Sequence, residues 1–382
     1  MTPGNPGSSP TSDDERWMAR ALALAERGRG LCSPNPMVGA VVVSDGRPVG
    51  EGFHSRAGGP HAEAEALRHA GDQARGATLY VTLEPCNHQG RTPPCVDAIL
   101  SAGIRRVVVA AGDPNPRVRG GGARALREAG LEVLSGCRED EARACNRVFL
   151  AAMERARPHV TLKCAMTLDG KIAAVDRSAR WITGEAARLE AHRLRSQSDA
   201  VMVGIGTVLA DDPALTVRLD PPWPREPLRI VVDSRARLPL AARLIDSGTP
   251  ARAVVAVADE APAERVARLE ARGVTVLSCK SRDGRVDPAD LCARLFALDV
   301  TGVLLEGGSE LNGAFIEAGL VDRVAIFIAP LLIGGAPAPT AVGGRGRLLS
   351  EAVRLQSLEA RPVGSDWLIE GDVARPARDR LE

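Results

Sequence analysis

His61 and Glu63 stand in PHAEAEAL, and Cys86 and Cys95 follow in TLEPCNHQGRTPPC. One imidazole and two thiolates are the number of protein ligands a catalytic zinc site takes while leaving its fourth position to water. Glu63, two residues past the histidine at a helix start, is badly placed to reach back to the metal and well placed to reach that water. This is the division of labour of zinc deaminases, where the metal makes hydroxide available near neutral pH. A glutamate that is not a ligand then moves protons between nucleophile, ring nitrogen and leaving ammonia. On this reading His61, Cys86 and Cys95 hold Zn2+ and Glu63 is the proton shuttle. The deaminase signature places two residues between its cysteines; here residues 87–94 intervene. Within that longer loop His88 and Arg91 are donors suited to an anionic or carbonyl-bearing substrate. Two alternatives stand beside this one. A closed structural site with His88 or Cys32 as fourth ligand would leave Glu63 without a task, and the cysteines and histidine could also be unrelated.

Asn35 in SPNPMVG and Asn115 in DPNP lie in proline-punctuated loops at strand ends, where open α/β sheets gather ligands. Each can donate and accept hydrogen bonds at a pyrimidine edge, although asparagine beside proline is also ordinary turn chemistry. In the second half, Gly307-Gly308-Ser309 follows an apolar strand and precedes a helix, an arrangement that brings backbone N–H groups against phosphate. Glycines at a strand end serve plain turns as well. Neither a G-x-G-x-x-G fingerprint nor a Walker loop is present, so the residues alone make this half a phosphate or nucleotide binder.

These groups need elements to hold them. A helix begins near Asp13, capped by Ser12 or Asp13, with Trp17, Ala21, Leu24 and Ala25 on one face, and ends at Gly28 and Gly30. Strands are expected at 40–43, 49–53, 78–83, 106–110 and 131–134, with His54 at a strand end. Helices are expected from His61, from the Pro85-Cys86 turn and from Cys95, which would set the metal-bearing segments at neighbouring helix N-termini. Strand and helix alternate, so an α/β sandwich with a mostly parallel sheet follows. Residues 138–156 read as one charged amphipathic helix, with Ala142, Cys145, Val148, Phe149 and Ala152 inward, and Pro158 breaks it. Beyond it come strands at 159–166, 200–205, 228–233, 254–257, 274–277 and 301–305, helices at 185–197, 261–272, 287–298 and 309–318, and a last clear strand at 324–328.

A length of 382 residues suits two domains, each with its own core. We expect residues 1–12 to be a disordered tail, 13–150 a zinc deaminase domain and 157–375 a reductase domain. The chain is 45% apolar and 25% charged with a formal net charge of +1, which gives no field to steer it to nucleic acid or an anionic membrane. Aromatic residues make up only 3%, leaving few platforms for stacked bases. Eight scattered cysteines show no disulfide framework. The Pro/Gly/Ser-rich start is unlike a signal peptide, and no run of about 20 apolar residues follows. A cytoplasmic location is expected.

Two motif sets together resemble the bifunctional riboflavin-biosynthesis deaminase-reductase family. NPMVGAV (35–41), HAEAEAL (61–67), EPCNHQGRTPPC (84–95) and DPNP (113–116) look like its deaminase half. LDGKIA (168–173), RWITG (180–184), GTVLADDPALTVR (206–218), RIVVDS (229–234) and EGGSELNGAF (306–315) look like its reductase half. The long cysteine spacing is itself a mark of this family, and the resemblance spans about residues 13–370.

The resemblance implies a cytidine-deaminase-like α/β/α sandwich followed by a dihydrofolate-reductase-like α/β domain. It implies zinc hydrolysis of the 2-amino group of 2,5-diamino-6-(5-phosphoribosylamino)pyrimidin-4(3H)-one, then NADPH reduction of the ribosyl group to 5-amino-6-(5-phosphoribitylamino)uracil. Substrate contacts in the first site would be Asn35, His54, His88, Arg91 and Asn115. Positions matching NADP contacts are Ala165, Trp181, Thr207, Asp211, Ser234, Gly308, Ser309, Glu310, Leu311, Asn312, Gly313 and Ala314. Those matching substrate contacts are Arg195, Leu215, Arg218 and Glu306, with the arginines suited to the 5-phosphate. Lys163 or Asp169 would serve the developing alkoxide. The family serine two residues before Trp181 is here Ala179, with Ser178 one step earlier. The expected partners are the small-molecule substrate and a second copy of the chain, as a homo-oligomer. A different zinc deaminase, acting on a nucleoside or tRNA base and fused to a dihydrofolate-reductase-like domain, is the alternative, and a non-catalytic nucleotide binder with a structural metal is the third.

Overall fold

Residues 40–43 are apolar at every position because helices cover both faces of the strand they form. The computed structural model describes residues 9–88, 93–115, 118, 121–246 and 252–374. It divides into two compact units, 1–156 and 157–382.

In the first unit α1 (Ser12–Ala25), β1 (Gly39–Ser44), β2 (Arg47–Phe53), α2 (Ala62–Ala70), β3 (Thr78–Leu83) and α3 (Cys95–Ser101) come first. Then follow β4 (Arg106–Ala111), α4 (Gly121–Glu128), β5 (Glu132–Ser135), α5 (Glu139–Cys145) and α6 (Arg147–Arg155). The five strands lie in the order β2-β1-β3-β4-β5. β1 is antiparallel to both neighbours, whereas β3, β4 and β5 are parallel. The sheet is therefore mixed, not mostly parallel: the Asp45-Gly46 hairpin, both residues at positive φ, turns the chain straight back. Ala40 and Val42 pack with Leu79, Val81, α2, α3 and α4, while Val41 and Val43 pack with Tyr80, α1, α5 and α6. This is the period of two expected of a strand buried on both faces.

Thr11 caps α1, not Ser12 or Asp13, in a reciprocal box with Asp14. Asp14 is buried and also accepts from Tyr80 and Arg106, which pins α1 to the sheet. Residues 1–8 of the expected tail lie outside the described residues. The helix read at 138–156 is two helices meeting at Asn146, and Val148 is exposed on the second while Ala142, Phe149 and Ala152 face inward. No helix begins at Pro85-Cys86; Cys86 sits in the loop after β3.

The second unit contains β6 (His159–Thr167), α7 (Glu185–Ser196), β7 (Ala200–Gly204), α8 (Ile205–Asp211), β8 (Leu228–Val232), β9 (Ala253–Ala258), α9 (Ala263–Ala271) and β10 (Thr275–Cys279). A short hairpin of β11 (Ser281–Arg282) and β12 (Arg285–Val286) precedes α10 (Pro288–Ala297), β13 (Gly302–Leu305), α11 (Ser309–Glu317) and β14 (Arg323–Ala329). After β14 the chain adds a further hairpin, β15 (Leu355–Val363) and β16 (Asp366–Val373), so β14 is not the last strand. The nine-stranded sheet runs β10-β9-β8-β7-β13-β6-β14-β16-β15, parallel as far as β14 and antiparallel beyond. Apolar clusters fill both faces, one under α10 and α11, the other under α8 and α9.

Candidate active sites

Gly52 determines how close the first site lies to its sheet. A Cβ there would stand 2.3 Å from the carbonyl of Ala62, in the opening turn of α2, so only glycine lets that turn rest on β2. His61 is the N-cap of α2 and Glu63 lies one residue into its first turn, buried against the sheet. Cys95 opens α3, and Cys86 comes up from the end of β3. The three ligand atoms lie within 4.8 Å of one another, with His61 Nδ1 3.1 Å from Cys95 Sγ and 3.6 Å from Cys86 Sγ. A tetrahedron with arms of about 2.0–2.3 Å has edges of roughly 3.5 Å, so zinc fits these three donors. Among the described residues neither Cys32 nor His88 joins the cluster. A closed four-ligand site is thereby set aside.

Charge in this pocket is arranged for metal and proton chemistry. The hydrogen bond with Cys95 is the largest cause holding the Cys86 thiol down, to about 4, and His61 adds to it. Cys95 is pushed up, by its bond with Cys86 first and by burial second. Burial pushes the Glu63 carboxyl up while His61 beside it works the other way.

Of the expected substrate residues, His54 meets the ligand His61 edge to face, and Asn35 is bonded to His54. His54 is buried, with Nδ1 against the Pro60 carbonyl at 2.9 Å and Nε2 2.9 Å from Asn35 Nδ2. Burial holds it below the usual histidine range. The buried Nδ1 of His88 has no hydrogen-bond partner among the described residues. Arg91 lies outside them. Asn115 follows β4, and its N–H donates to Asp113 Oδ1 at 2.8 Å. Asp113 itself escaped the sequence reading, although it stands in the same DPNP motif. Burial first, then the charges of Glu84 and Cys86, push its carboxyl up to about 6.

The second site divides into two parts. In the first, Glu306, just past β13, is buried between Arg195 of α7, at 2.5 and 2.9 Å, and Lys163 of β6, at 3.6 Å. A third N–H of Arg195 donates to the Thr216 carbonyl at 2.9 Å. Three of its five N–H groups are thus engaged, and the arginine is less open to a phosphate than its sequence suggests. Arg218 is more available: its N and Nε approach the ring nitrogens of His192 at 3.3 and 3.2 Å. His192 went unnoticed in the sequence because a histidine on a polar helix carries no signal by itself. Leu215 turns its side chain into the core from a backbone at φ +53°, so only its main chain can serve a ligand.

Asp169 does not belong with these groups. Its carboxylate accepts from Thr167 Oγ1 at 2.5 Å and from the N–H groups of Gly334 and Ile333 at 2.6 and 3.2 Å. These bonds, Thr167 first, hold it down to about 2. An ionised carboxylate has no proton to give to an alkoxide. Ser178 donates to Asp176 at 2.6 Å and does not stand in for the serine missing at Ala179.

The other part is a cavity of 610 Å³ lined by Gly206, Ser234, Glu310, Leu311 and Ala314 among others. The N-termini of α8 and α11 open there, neither with a side-chain cap. Uncapped N–H groups at helix starts suit a pyrophosphate. Thr207 in α8 faces Gly308, its Oγ1 3.3 Å from where a Cβ would stand. Asn312 Oδ1 is buried with no hydrogen-bond partner among the described residues, while its Nδ2 donates to the Ala341 carbonyl. A dinucleotide fits this cradle. Arg235, Arg237 and Arg285 also line it; their sequence signal was lost among the chain's 49 basic residues. Gly313 is glycine for a packing reason, since a Cβ would meet the Gly343 carbonyl at 2.4 Å. Ala165 on β6, the 66%-exposed Trp181 and Asp211 do not line the cavity. Trp181 stacks under Arg188, and the neighbouring Arg180 donates to the Asp211 carbonyl at 2.6 Å.

Comparison with known proteins meets this geometry at both sites. Residues 11–111 match the cytidine and deoxycytidylate deaminase zinc-binding region, and residues 158–369 match the RibD C-terminal domain. The riboflavin biosynthesis protein RibD of Actinobacillus pleuropneumoniae is 44% identical over 96% of this chain and 97% of its own. That of Escherichia coli K12 is 42% identical over 92% and 97%. Among solved structures, Acinetobacter baumannii RibD superposes with a TM-score of 0.86 at 39% identity, covering 95% of this chain and 99% of that one. A Thermotoga maritima diaminohydroxyphosphoribosylaminopyrimidine deaminase/5-amino-6-(5-phosphoribosylamino)uracil reductase does so at 0.82 and 36%, with the same coverage. With a metal-ligand triad beside a buried acid in one unit and a dinucleotide cradle in the other, this chain belongs to the RibD family of bifunctional deaminase-reductases of riboflavin biosynthesis.

Proposed function

We propose that the first unit removes the 2-amino group of 2,5-diamino-6-(5-phosphoribosylamino)pyrimidin-4(3H)-one as ammonia, and that the second reduces the ribosyl group of the product to ribityl. The observation that carries the reading is the three-ligand cluster within 4.8 Å, with Glu63 buried beside it and outside the ligand set. His61, Cys86 and Cys95 hold the metal. When bound there, zinc lowers the pKa of the water at its open position to about 7. Glu63 takes a proton from the attacking water and delivers it to the ring nitrogen, then takes the proton of the newly added hydroxyl and delivers it to the amine, which leaves as ammonia. Asn35, His54, His88 and Asn115, with Asp113, hold the ring's polar edge, and Arg91 completes the set.

In the second unit the residues of the dinucleotide cradle, Thr207, Ser234 and 308–314, hold NADPH, with Ala165, Trp181 and Asp211 at its nicotinamide side. NADPH supplies the hydride when bound. Arg218 grips the 5-phosphate, released from His192 as the anion arrives. Arg195 acts through Glu306, and Glu306, 3.6 Å from Lys163, holds that amine toward the oxygen that gains a proton as the ring opens.

The protein works as a homo-oligomer in the cytoplasm. Eight of the nine residues of β15 are exposed at the open edge of the sheet, beside Trp367 of β16 at 52% exposure, and a second copy is the natural cover for such an edge. No helix of the described residues is long and apolar enough to cross a membrane, and none of the eight cysteines is in a disulfide. A sedimentation measurement giving a monomer at micromolar concentration would overturn the assembly.

One coupled assay tests both activities. Ammonia release and NADPH oxidation are followed on the phosphoribosyl pyrimidine before and after chelation of the metal. We expect chelation to stop ammonia release while NADPH oxidation persists on the deaminated intermediate. Ammonia release that survives complete zinc removal contradicts the first half.

A further inference from the structure

The loop carrying Asn35 has an anchoring difficulty. Pro34 and Pro36 flank the asparagine and supply no backbone N–H. Met37 is the first residue past Asn35 that offers both a donor and an acceptor. Both are taken by one side chain from the far end of the unit: Asn146 Oδ1 accepts from Met37 N–H at 2.8 Å, and Asn146 Nδ2 donates to the Met37 carbonyl at 2.7 Å. Asn146 is buried where α5 gives way to α6, 109 residues along the chain from its partner. A primary amide can pair with a peptide on both sides in this way; a hydroxyl or an aliphatic side chain cannot.

From Met37 the path to the metal cluster is short. Asn35 Nδ2 lies 2.9 Å from His54 Nε2, and His54 Nδ1 lies 2.9 Å from the Pro60 carbonyl, one residue before the ligand His61. With Nδ1–H given to Pro60, Nε2 is the acceptor, and Asn35 must donate to it. That fixes the rotation of the Asn35 amide and leaves its Oδ1 and second N–H for a ligand. The imidazoles of His54 and His61 meet edge to face with centroids 5.5 Å apart. We infer that Asn146 is a positioning residue of the deaminase site: it holds the Met37 peptide and thereby sets the Asn35 amide against the substrate ring. The inference rests on the reading that Asn35 contacts that ring.

The test uses the full-length protein with its zinc. Asn146→Ala is expected to raise the deaminase KM about tenfold to a hundredfold, since misplacing a binding group by about 1 Å can cost a hundredfold. Zinc content and reductase activity of the same preparation should stay within about twofold of the parent protein. Asn146→Asp provides a readout that mere space-filling would not move. Its carboxylate accepts from Met37 N–H but faces the Met37 carbonyl with negative charge, whereas the protonated acid both accepts and donates. Its deaminase kcat/KM, taken as a ratio to the parent protein at each pH, should therefore climb as pH is lowered from about 8 to about 5.5, where a buried carboxyl titrates. A flat ratio, or equal loss of both activities, reduces Asn146 to a structural tie and overturns the inference. Asn35→Ala separates the two failures. If it leaves KM unchanged, the reading of Asn35 falls and the inference with it. If it raises KM while Asn146→Ala does not, the inference alone falls.

Discussion

Arg195 and Glu306 meet face to face, with Nε and Nη2 of the arginine 2.5 and 2.9 Å from the two carboxylate oxygens and both side chains nearly buried. Burial by itself would push the Glu306 carboxyl up, yet Arg195 first and Lys163 second bring it down to about 2. Two cations thus share one buried anion at the edge of the reductase site.

Removing that anion should be costly. In Glu306→Gln the two cations are left buried without a counter-charge, and breaking such a pair costs about 3–5 kcal/mol. We expect a lower unfolding temperature, reductase turnover down at least about a hundredfold and ammonia release retained. Calorimetry and the two activity assays on one preparation check this; unchanged stability would mean that the pair contributes little.

Glu63→Gln preserves shape and burial but carries no exchangeable carboxyl proton. General acid–base groups contribute about a hundredfold to ten-thousandfold, so ammonia release should fall by about a thousandfold. Metal analysis should find zinc at parental content, because the residue lies outside the ligand set. Loss of zinc instead would make Glu63 a structural support.

For Arg218→Ala the expected effect is on binding. A charge-assisted hydrogen bond to phosphate is worth about 1.5–3 kcal/mol, so the reductase KM should rise about tenfold to a hundredfold with kcat less affected. Deamination should proceed as before. Equal loss of both activities would contradict separate sites.

His192 gives a dependence on pH. Burial first, then the charges of Arg195 and Arg218, hold it down to about 4 from 6.5, while Glu306 pulls the other way. Below pH 6.5 the unfolded chain takes up a proton that the folded chain refuses until about pH 4, so this residue makes stability fall as pH drops through that window. Above 6.5 its contribution is constant. The difference in urea midpoint between the parent protein and His192→Gln, measured across the window, should therefore shrink or reverse as pH falls. A pH-independent difference would show the ring titrating as it does in the unfolded chain.

What the sequence determined by itself were the features written in short spacings. His61 and Glu63 are two residues apart, the spacing that sets a ligand at the N-cap and an acid in the first turn of one helix. The wholly apolar runs at Val41 and Val201 announced strands covered on both faces, because no other setting removes every side chain from water. Where only distant segments meet, the chain was silent. The exposed β15 carries no apolar alternation, and only its pairing with β16, itself paired with β14, makes it a strand. The break at Asn146 is invisible to helical periodicity, and the residue at the break makes two bonds to Met37. His192 and Arg218 lie 26 residues apart, and nothing local links them. Their meeting was decided only when tertiary packing excluded water and left each polar group to find its partner across the fold.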